Sequence, residues 1–215
     1  AAVAKHQGEN YTPVVAINAS YFNVTTAHPK GAFVMEGVDA TASDDEGNKY
    51  PFFAILKDGT VIIGDKGEYS TYKDRLQEAV SGRTMLVRDG VVVYGLDDAN
   101  RHDAQYINKY PRQTIGITAD GKVIVMTADG LQSPYSIGLT MKEQAEVMAS
   151  LGCVAAITLD EGGSATYCSK PEGSDTLVVT NKPSNGSERA VSNSLMIVSS
   201  AVPEGTFHHA SLRVE

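Results

Sequence analysis

The apolar run Val154-Ala155-Ala156-Ile157-Thr158-Leu159 ends abruptly in Asp160-Glu161-Gly162-Gly163-Ser164, which puts two carboxylates, two glycines and a hydroxyl in one place. A strand buried in a core holds an acid at its tip with little freedom, and successive glycines let backbone N–H groups turn towards an anion that side chains would crowd out. The segment reads as anion handling combined with acid–base or nucleophilic chemistry, or as an acidic turn between two strands.

Other polar groups also fall where strands should end. Val14-Val15-Ala16-Ile17 runs into Asn18-Ala19-Ser20-Tyr21-Phe22-Asn23, amides and aromatics able to hydrogen-bond a sugar and stack on its apolar face, or an Asx-rich turn with the rings in the core. Pro111-Arg112-Gln113-Thr114 precedes one strand and Ser187-Glu188-Arg189 precedes another through Asn193. Asp129-Gly130 reads as a turn or as a further strand-end acid.

The elements that must position these residues are mostly strands. Asp58-Gly59, Asp89-Gly90 and Asp120-Gly121 each sit between β-rich runs, three hairpin signals of one design, so the fold class expected is α+β, with a largely antiparallel sheet system and two or three packed helices. Thr140 to Gly152 has helical apolar spacing at Met141, Ala145, Met148 and Leu151, a Thr140/Glu143 capping box and a Gly152 stop. A second helix is expected over 71–80, and further strands over 14–18, 33–38, 165–168, 176–180 and 194–199. Ala1 to Gly8 reads as part of a helix, so residues 1–215 are expected to form one domain that starts inside its fold, without a leader or first strand.

Composition narrows the function. The chain has 215 residues, 42% of them hydrophobic, enough for a substantial core. Its net charge of −8 comes from scattered acids with no Lys/Arg cluster, which argues against nucleic acid as a partner. No apolar run approaches the roughly 20 residues that cross a bilayer. Cys153 and Cys168 flank the Asp160 turn as a disulfide or as two free thiols, and the five histidines have no zinc spacing. Asp44-Asp45-Glu46-Gly47-Asn48 is oxygen-rich but lacks EF-hand spacing and reads as a solvated loop.

Taken together, Asn18-Ala19-Ser20-Tyr21-Phe22, Pro111-Arg112-Gln113-Thr114-Ile115-Gly116-Ile117, Asp129-Gly130, Gly138-Leu139-Thr140, Leu159-Asp160-Glu161-Gly162-Gly163-Ser164 and the stretch from Asn181 through Arg189 to Asn193 lie in an order that resembles the phosphodiester glycosidases. These are the enzymes related to the mannose-6-phosphate uncovering enzyme, N-acetylglucosamine-1-phosphodiester α-N-acetylglucosaminidase. The family pattern reads Asn-Gly-Gly-Phe-Phe where this chain has Ala19 and Ser20, and Leu-Asp-Gly-Gly-Gly-Ser where it has Glu161.

The resemblance implies hydrolysis of a sugar 1-phosphodiester, with Asp160 at the anomeric carbon and Glu161 or Asp129 as partner base. Arg112 and Arg189 are then the phosphate-binding cations, assisted by Gly162, Gly163 and Ser164, while Asn18 orients sugar hydroxyls or the acyl group, Tyr21 offers a stacking face and Asn193 belongs to the substrate-binding set. An extra carboxylate at 161 repels phosphate unless it points away or pairs with an arginine. No cofactor is expected, the alternative being calcium or magnesium held by Asp160, Glu161 and Asp129. The resemblance also implies secretion or a place in the bacterial envelope. A glycan-binding or envelope-polysaccharide accessory module without turnover is the competing reading.

Overall fold

The computed structural model describes residues 12–93, 104–171, 174 and 176–199. The helix expected over residues 1–8 lies outside them, as do His6, His102, His208 and His209.

Among the described residues the strands form three antiparallel sheets. Strand β1 (Thr12–Asn18) lies between β12 (Tyr167–Ser169) and β14 (Ser194–Ser199), with β13 (Val178–Val179) at the edge. A second sheet has the order β3 (Val38–Asp39), β2 (Phe33–Met35), β6 (Leu76–Ser81), β4 (Phe52–Leu56), β5 (Val61–Gly64). The third runs β10 (Val123–Ala128), β9 (Arg112–Thr118), β11 (Cys153–Thr158), β7 (Met85–Arg88), β8 (Val91–Val92). Among the described residues the α-helices are α1 (Asp44–Asn48), α2 (Tyr69–Tyr72), α3 (Ala104–Ile107) and α4 (Met141–Ser150).

The inner faces of the sheets meet in one apolar cluster. Ile17 comes from β1, Phe53 and Val80 from β4 and β6, and Met85, Ile115 and Ile157 from the third sheet, with Leu159 beyond its end. Full burial of each large aliphatic side chain contributes about 1.5–3 kcal/mol. Leu159 is the last residue of this core before Asp160, so the packing of three sheets fixes where the acid emerges.

Helix α4 covers the third sheet, with Met141, Ala145 and Met148 against Leu86, Cys153 and Ala156. Its capping box forms: Glu143 N–H donates to the Thr140 hydroxyl at 3.2 Å, and Thr140 N–H donates to the Glu143 carboxylate at 2.8 Å. The Thr140 N–H bond and Lys109 hold the Glu143 carboxyl down at about 2. That stabilisation is therefore present above the usual carboxylate range and lost only in strong acid. Thr140→Ala should lower folding stability by about 1 kcal/mol, read from the urea midpoint with an unchanged slope.

Several elements differ from the sequence reading. The helix expected over 71–80 is helix α2, a 3₁₀ turn at Lys73–Arg75 and then β6, which lies between β2 and β4; pairing on both edges overrides helical spacing in a segment with no cap to hold it. The strand expected over 33–38 is a hairpin, because Glu36 and Gly37 both have positive φ, 54° and 75°, and reverse the chain between Met35 and Val38. Asp89-Gly90 is a two-residue connection between Arg88 and Val91. At Asp58-Gly59 and Asp120-Gly121 the bonds Gly59 N to Leu56 O and Gly121 N to Thr118 O close three-residue loops instead. Residues 44–48 form a helical turn capped by the Ser43 hydroxyl, with acids in its first turn where the helix dipole favours them. Cys153 and Cys168 are free thiols on different sheets.

A candidate glycosidase site at the end of strand β11

Backbone bonds lock Asp160 in place. Its N–H donates to Ala19 O at 2.7 Å, and its carbonyl accepts from Asn18 Nδ2 at 2.6 Å. The Asn18 Oδ1 accepts from Thr166 N at 2.9 Å, so this one buried amide ties the end of β1 to both sides of the Asp160–Ser164 turn. Asn193 repeats the device, accepting from Ser20 N at 2.8 Å and donating to Ser20 Oγ at 3.2 Å. Asn18 was expected to orient the sugar and Asn193 to bind substrate; in the structure both amides brace the backbone that carries the acid. Ala19 and Ser20 are each only 1% exposed, so the family departures at these positions are packing features.

Glu161 and Arg112 form a closed pair. Glu161 Oε2 accepts from Arg112 Nη1 at 2.6 Å and Oε1 from Gln144 Nε2 at 2.7 Å. Arg112 is 0% exposed and also donates from Nε to Leu139 O and from Nη2 to the carbonyls of Gln105 and Asn108. Burial pushes the Glu161 carboxyl up, opposed by Arg112 and Gln144. The extra carboxylate thus points inward onto an arginine. This differs from two expectations: Glu161 is buried with both oxygens bonded internally instead of turned to a water, and Arg112 is buried on internal acceptors, leaving no fork for a phosphate.

Asp129 is likewise a clamp. Its carboxylate accepts from Asn181 Nδ2 at 2.9 Å, from Lys182 N and from Tyr135 Oη at 2.9 Å, holding the loop after β13. The proposed partner base is therefore occupied. The cation set of Asp160, Glu161 and Asp129 does not converge either, since two of its members are turned onto other partners. Among the described residues no three Asp, Glu, His or Cys side chains group as metal ligands.

Asp160 is different. It is 8% exposed, and its Oδ1 accepts from Glu161 N at 3.1 Å. Burial raises its carboxyl above the ordinary range, countered by a hydrogen bond from Ser164 and by the charge of Arg189. Arg189 Nη1 donates to Ser164 Oγ at 3.3 Å. The turn Gly162–Ser164 is a 3₁₀ segment tied down by Gly162 N to Pro111 O at 3.0 Å, with Gly162 at φ 63°. Gly163 is needed for a second reason: a Cβ there would stand 2.2 Å from Arg189 Nη2 and 2.7 Å from the Asn185 amide. Gly163→Ala should leave the melting temperature nearly unchanged, since exposed side-chain ends move aside, yet lower turnover by roughly tenfold or more by displacing Arg189. Kinetics beside a thermal melt check this.

Tyr21 faces the same group. Its phenol accepts from Gln105 Nε2 at 3.0 Å, and the Arg83 guanidinium lies 5.7 Å from its ring centroid and donates to Gln105 Oε1. Burial, then the charges of Glu161 and Asp160, push the phenol well up, so Tyr21 stays a neutral donor. Arg83, Gln105, Gln144 and Asn185 escaped the sequence reading. Nothing in their local sequence marks them, because α3 and the β6–β7 connection reach the site only through sheet packing. A cavity of about 400 Å³ lined by Asn23, His28, Lys30 and Tyr50 adjoins the loop after Tyr21 but includes none of the expected site residues.

The phosphodiester glycosidase family matches residues 11–198. The N-acetylglucosamine-1-phosphodiester α-N-acetylglucosaminidases of Mus musculus and Homo sapiens are similar at 28% and 27% identity over 164 residues, 71% of this chain and 31% of each relative. The chain thus spans about a third of the length of these relatives. The SPbeta prophage-derived uncharacterized protein YomE of Bacillus subtilis is 39% identical over 89 residues, 41% of this chain and 13% of that protein. Among solved structures, the zebrafish N-acetylglucosamine-1-phosphodiester α-N-acetylglucosaminidase catalytic domain, auto-inhibited by its pro-peptide, shares the fold with a TM-score of 0.71 at 23% identity, covering 91% of this chain and 66% of that one. With the match running from before β1 into β14, and with the Asp160 turn braced by Asn18 and Asn193 at its centre, the chain belongs to the phosphodiester glycosidase family.

Proposed function

We propose that this domain hydrolyses a sugar 1-phosphodiester, of the N-acetylglucosamine-1-phosphodiester type, at the anomeric C–O bond. The observation that carries the reading is the Asp160 carboxyl held beside Ser164 and Arg189 while its neighbour Glu161 is turned away. Breaking the bond from C1 to the phosphate oxygen leaves positive charge on the sugar ring, which an ionised Asp160 stabilises. The electron pair of that bond goes to the phosphate oxygen, water adds to C1 and gives up a proton to the departing phosphate or to solvent, and the products are the free sugar and a phosphomonoester. The departing group is a phosphate with a second pKa of about 6, so it leaves without a strong acid. Arg189 supplies positive charge in its place, and the neutral Tyr21 phenol supplies a hydrogen bond.

The rival reading, a glycan-binding or envelope-polysaccharide accessory module, drew on the departures at Ala19, Ser20 and Glu161. All three are buried and bonded internally, which removes the main reason to think the site was lost. Incubation with the N-acetylglucosamine-1-phospho-methyl ester decides between them. Free N-acetylglucosamine and methyl phosphate are expected; sugar phosphate would mean that the other bond breaks, and tight binding with no release would favour the accessory module. Among the described residues no helix is long and apolar enough to cross a membrane.

A further inference from the structure

Five arginines lie in the described residues, and three face carboxylates: Arg75 with Asp58, Arg88 with Asp65, and Arg112 with Glu161. Among the described residues Arg83 and Arg189 have no carboxylate within ion-pair distance, and both border the group around Asp160. Arg189 reaches it through Ser164 and the space left by Gly163. Arg83 arrives from another element, the connection between β6 and β7. Its backbone N–H donates to Thr158 O at 3.2 Å, two residues before Asp160, and its side chain lies over Tyr21 and donates to Gln105.

That anchoring has a feature of a built site. Gln105 uses its amide oxygen on Arg83 and its amide nitrogen on the Tyr21 phenol, so a single residue orients a cation and a neutral hydroxyl together. The Gln105 carbonyl in turn accepts from Arg112 at 2.8 Å, which ties this pair to the buried Arg112–Glu161 bridge. Gly82, just before Arg83, is pressed against β11: a Cβ there would stand 2.1 Å from Thr158 O, so the Arg83 backbone cannot drift from the strand that carries Asp160. Gln105 occupies one N–H of Arg83 and leaves guanidinium donors for a ligand.

We propose that Arg83, held by Gln105 against Tyr21, binds the phosphoryl oxygens of the leaving group together with Arg189. This rests on the function proposed above. A phosphodiester carries one negative charge, and as the C1–O bond breaks the departing phosphate gains a second. Two cations without carboxylate partners among the described residues therefore bind the departing group more tightly than the intact substrate, which is what lowers a barrier. The ligand class is a phosphomonoester dianion, and the site is expected to show product inhibition by simple alkyl phosphates.

The test uses methyl phosphate and inorganic phosphate as probes, with calorimetric binding to the wild-type protein, Arg83→Ala, Arg83→Lys, Arg189→Ala and a surface control, Arg75→Ala. Arg83→Ala is expected to weaken phosphate binding by roughly tenfold or more, Arg83→Lys less, and Arg75→Ala not at all. Kinetics of the same proteins should show Arg83→Ala lowering kcat on the phosphodiester far more than on an aryl glycoside. Unchanged phosphate affinity in a folded Arg83→Ala protein, or equal losses on both substrates, overturns the proposal while leaving hydrolysis itself standing. Arg83-dependent phosphate binding without any sugar release would keep the anion site and sink the reaction instead.

Discussion

Asp160→Asn is expected to abolish most turnover, about 3 kcal/mol or more of transition-state stabilisation, in a protein that folds at least as well as its parent at neutral pH. The two halves have one cause. Burial raises the Asp160 carboxyl, so the folded chain holds that proton more tightly than the unfolded chain does. A group of this kind favours folding most below the ordinary aspartate range, and its contribution is lost as pH rises through the raised value. At pH 7 the buried charge is a burden on folding that the amide lacks. The backbone bonds at this position, from Asp160 N to Ala19 O and from Asn18 to Asp160 O, do not involve the side chain and survive the change. The proposed mechanism needs the ionised form, so the acid limb of the wild-type pH profile should lie above the range of an exposed aspartate. Near-normal sugar release by a folded Asp160→Asn protein would remove the residue from the mechanism.

Arg112→Ala should destabilise the fold by about 3–5 kcal/mol, the scale seen when one partner of a buried pair is removed and the other charge remains. Glu161 would keep only Gln144, and the carbonyls of Leu139, Gln105 and Asn108 would lose their donor. The sign against pH is specific. Without Arg112 the Glu161 carboxyl rises further, so the deficit should be smallest in acid, where Glu161 takes a proton, and should grow as pH increases. Pairing Arg112→Met with Glu161→Gln leaves neither member of the pair charged and should recover part of the loss. Denaturant melts of the single and double variants across pH measure all of this. Equal stability of Arg112→Ala and wild type at pH 8 would contradict a structural pair and return Arg112 to the substrate.

Some of this was legible in residue order. Helix α4 announces itself by a capping box and a glycine stop, because those are local bonds between neighbours three or four apart. The Asp160 turn is equally plain, since an unbroken apolar run ending in Asp-Glu-Gly-Gly-Ser has few places to go but a core edge. Segment β6 misled for the opposite reason. Leu76, Ala79 and Val80 have spacing compatible with a helix, and only the neighbours β2 and β4, brought from distant parts of the chain, make the segment a strand.

The site divides the same way. By itself the sequence marked Asn18, Arg112, Glu161, Ser164, Arg189 and Asn193 as polar residues near strand ends, and it gave no sign of Arg83, Gln105 or Gln144. Only the tertiary structure decided which of them are taken up by the framework. Arg112, Glu161, Asn18 and Asn193 have the right chemistry for phosphate and sugar, yet each completes hydrogen bonds of another buried group. Arg83, which no local pattern marks, is left with donors to offer. A buried polar atom must find partners wherever the packing of three sheets places it, and that placement is a property of contacts far apart along the chain.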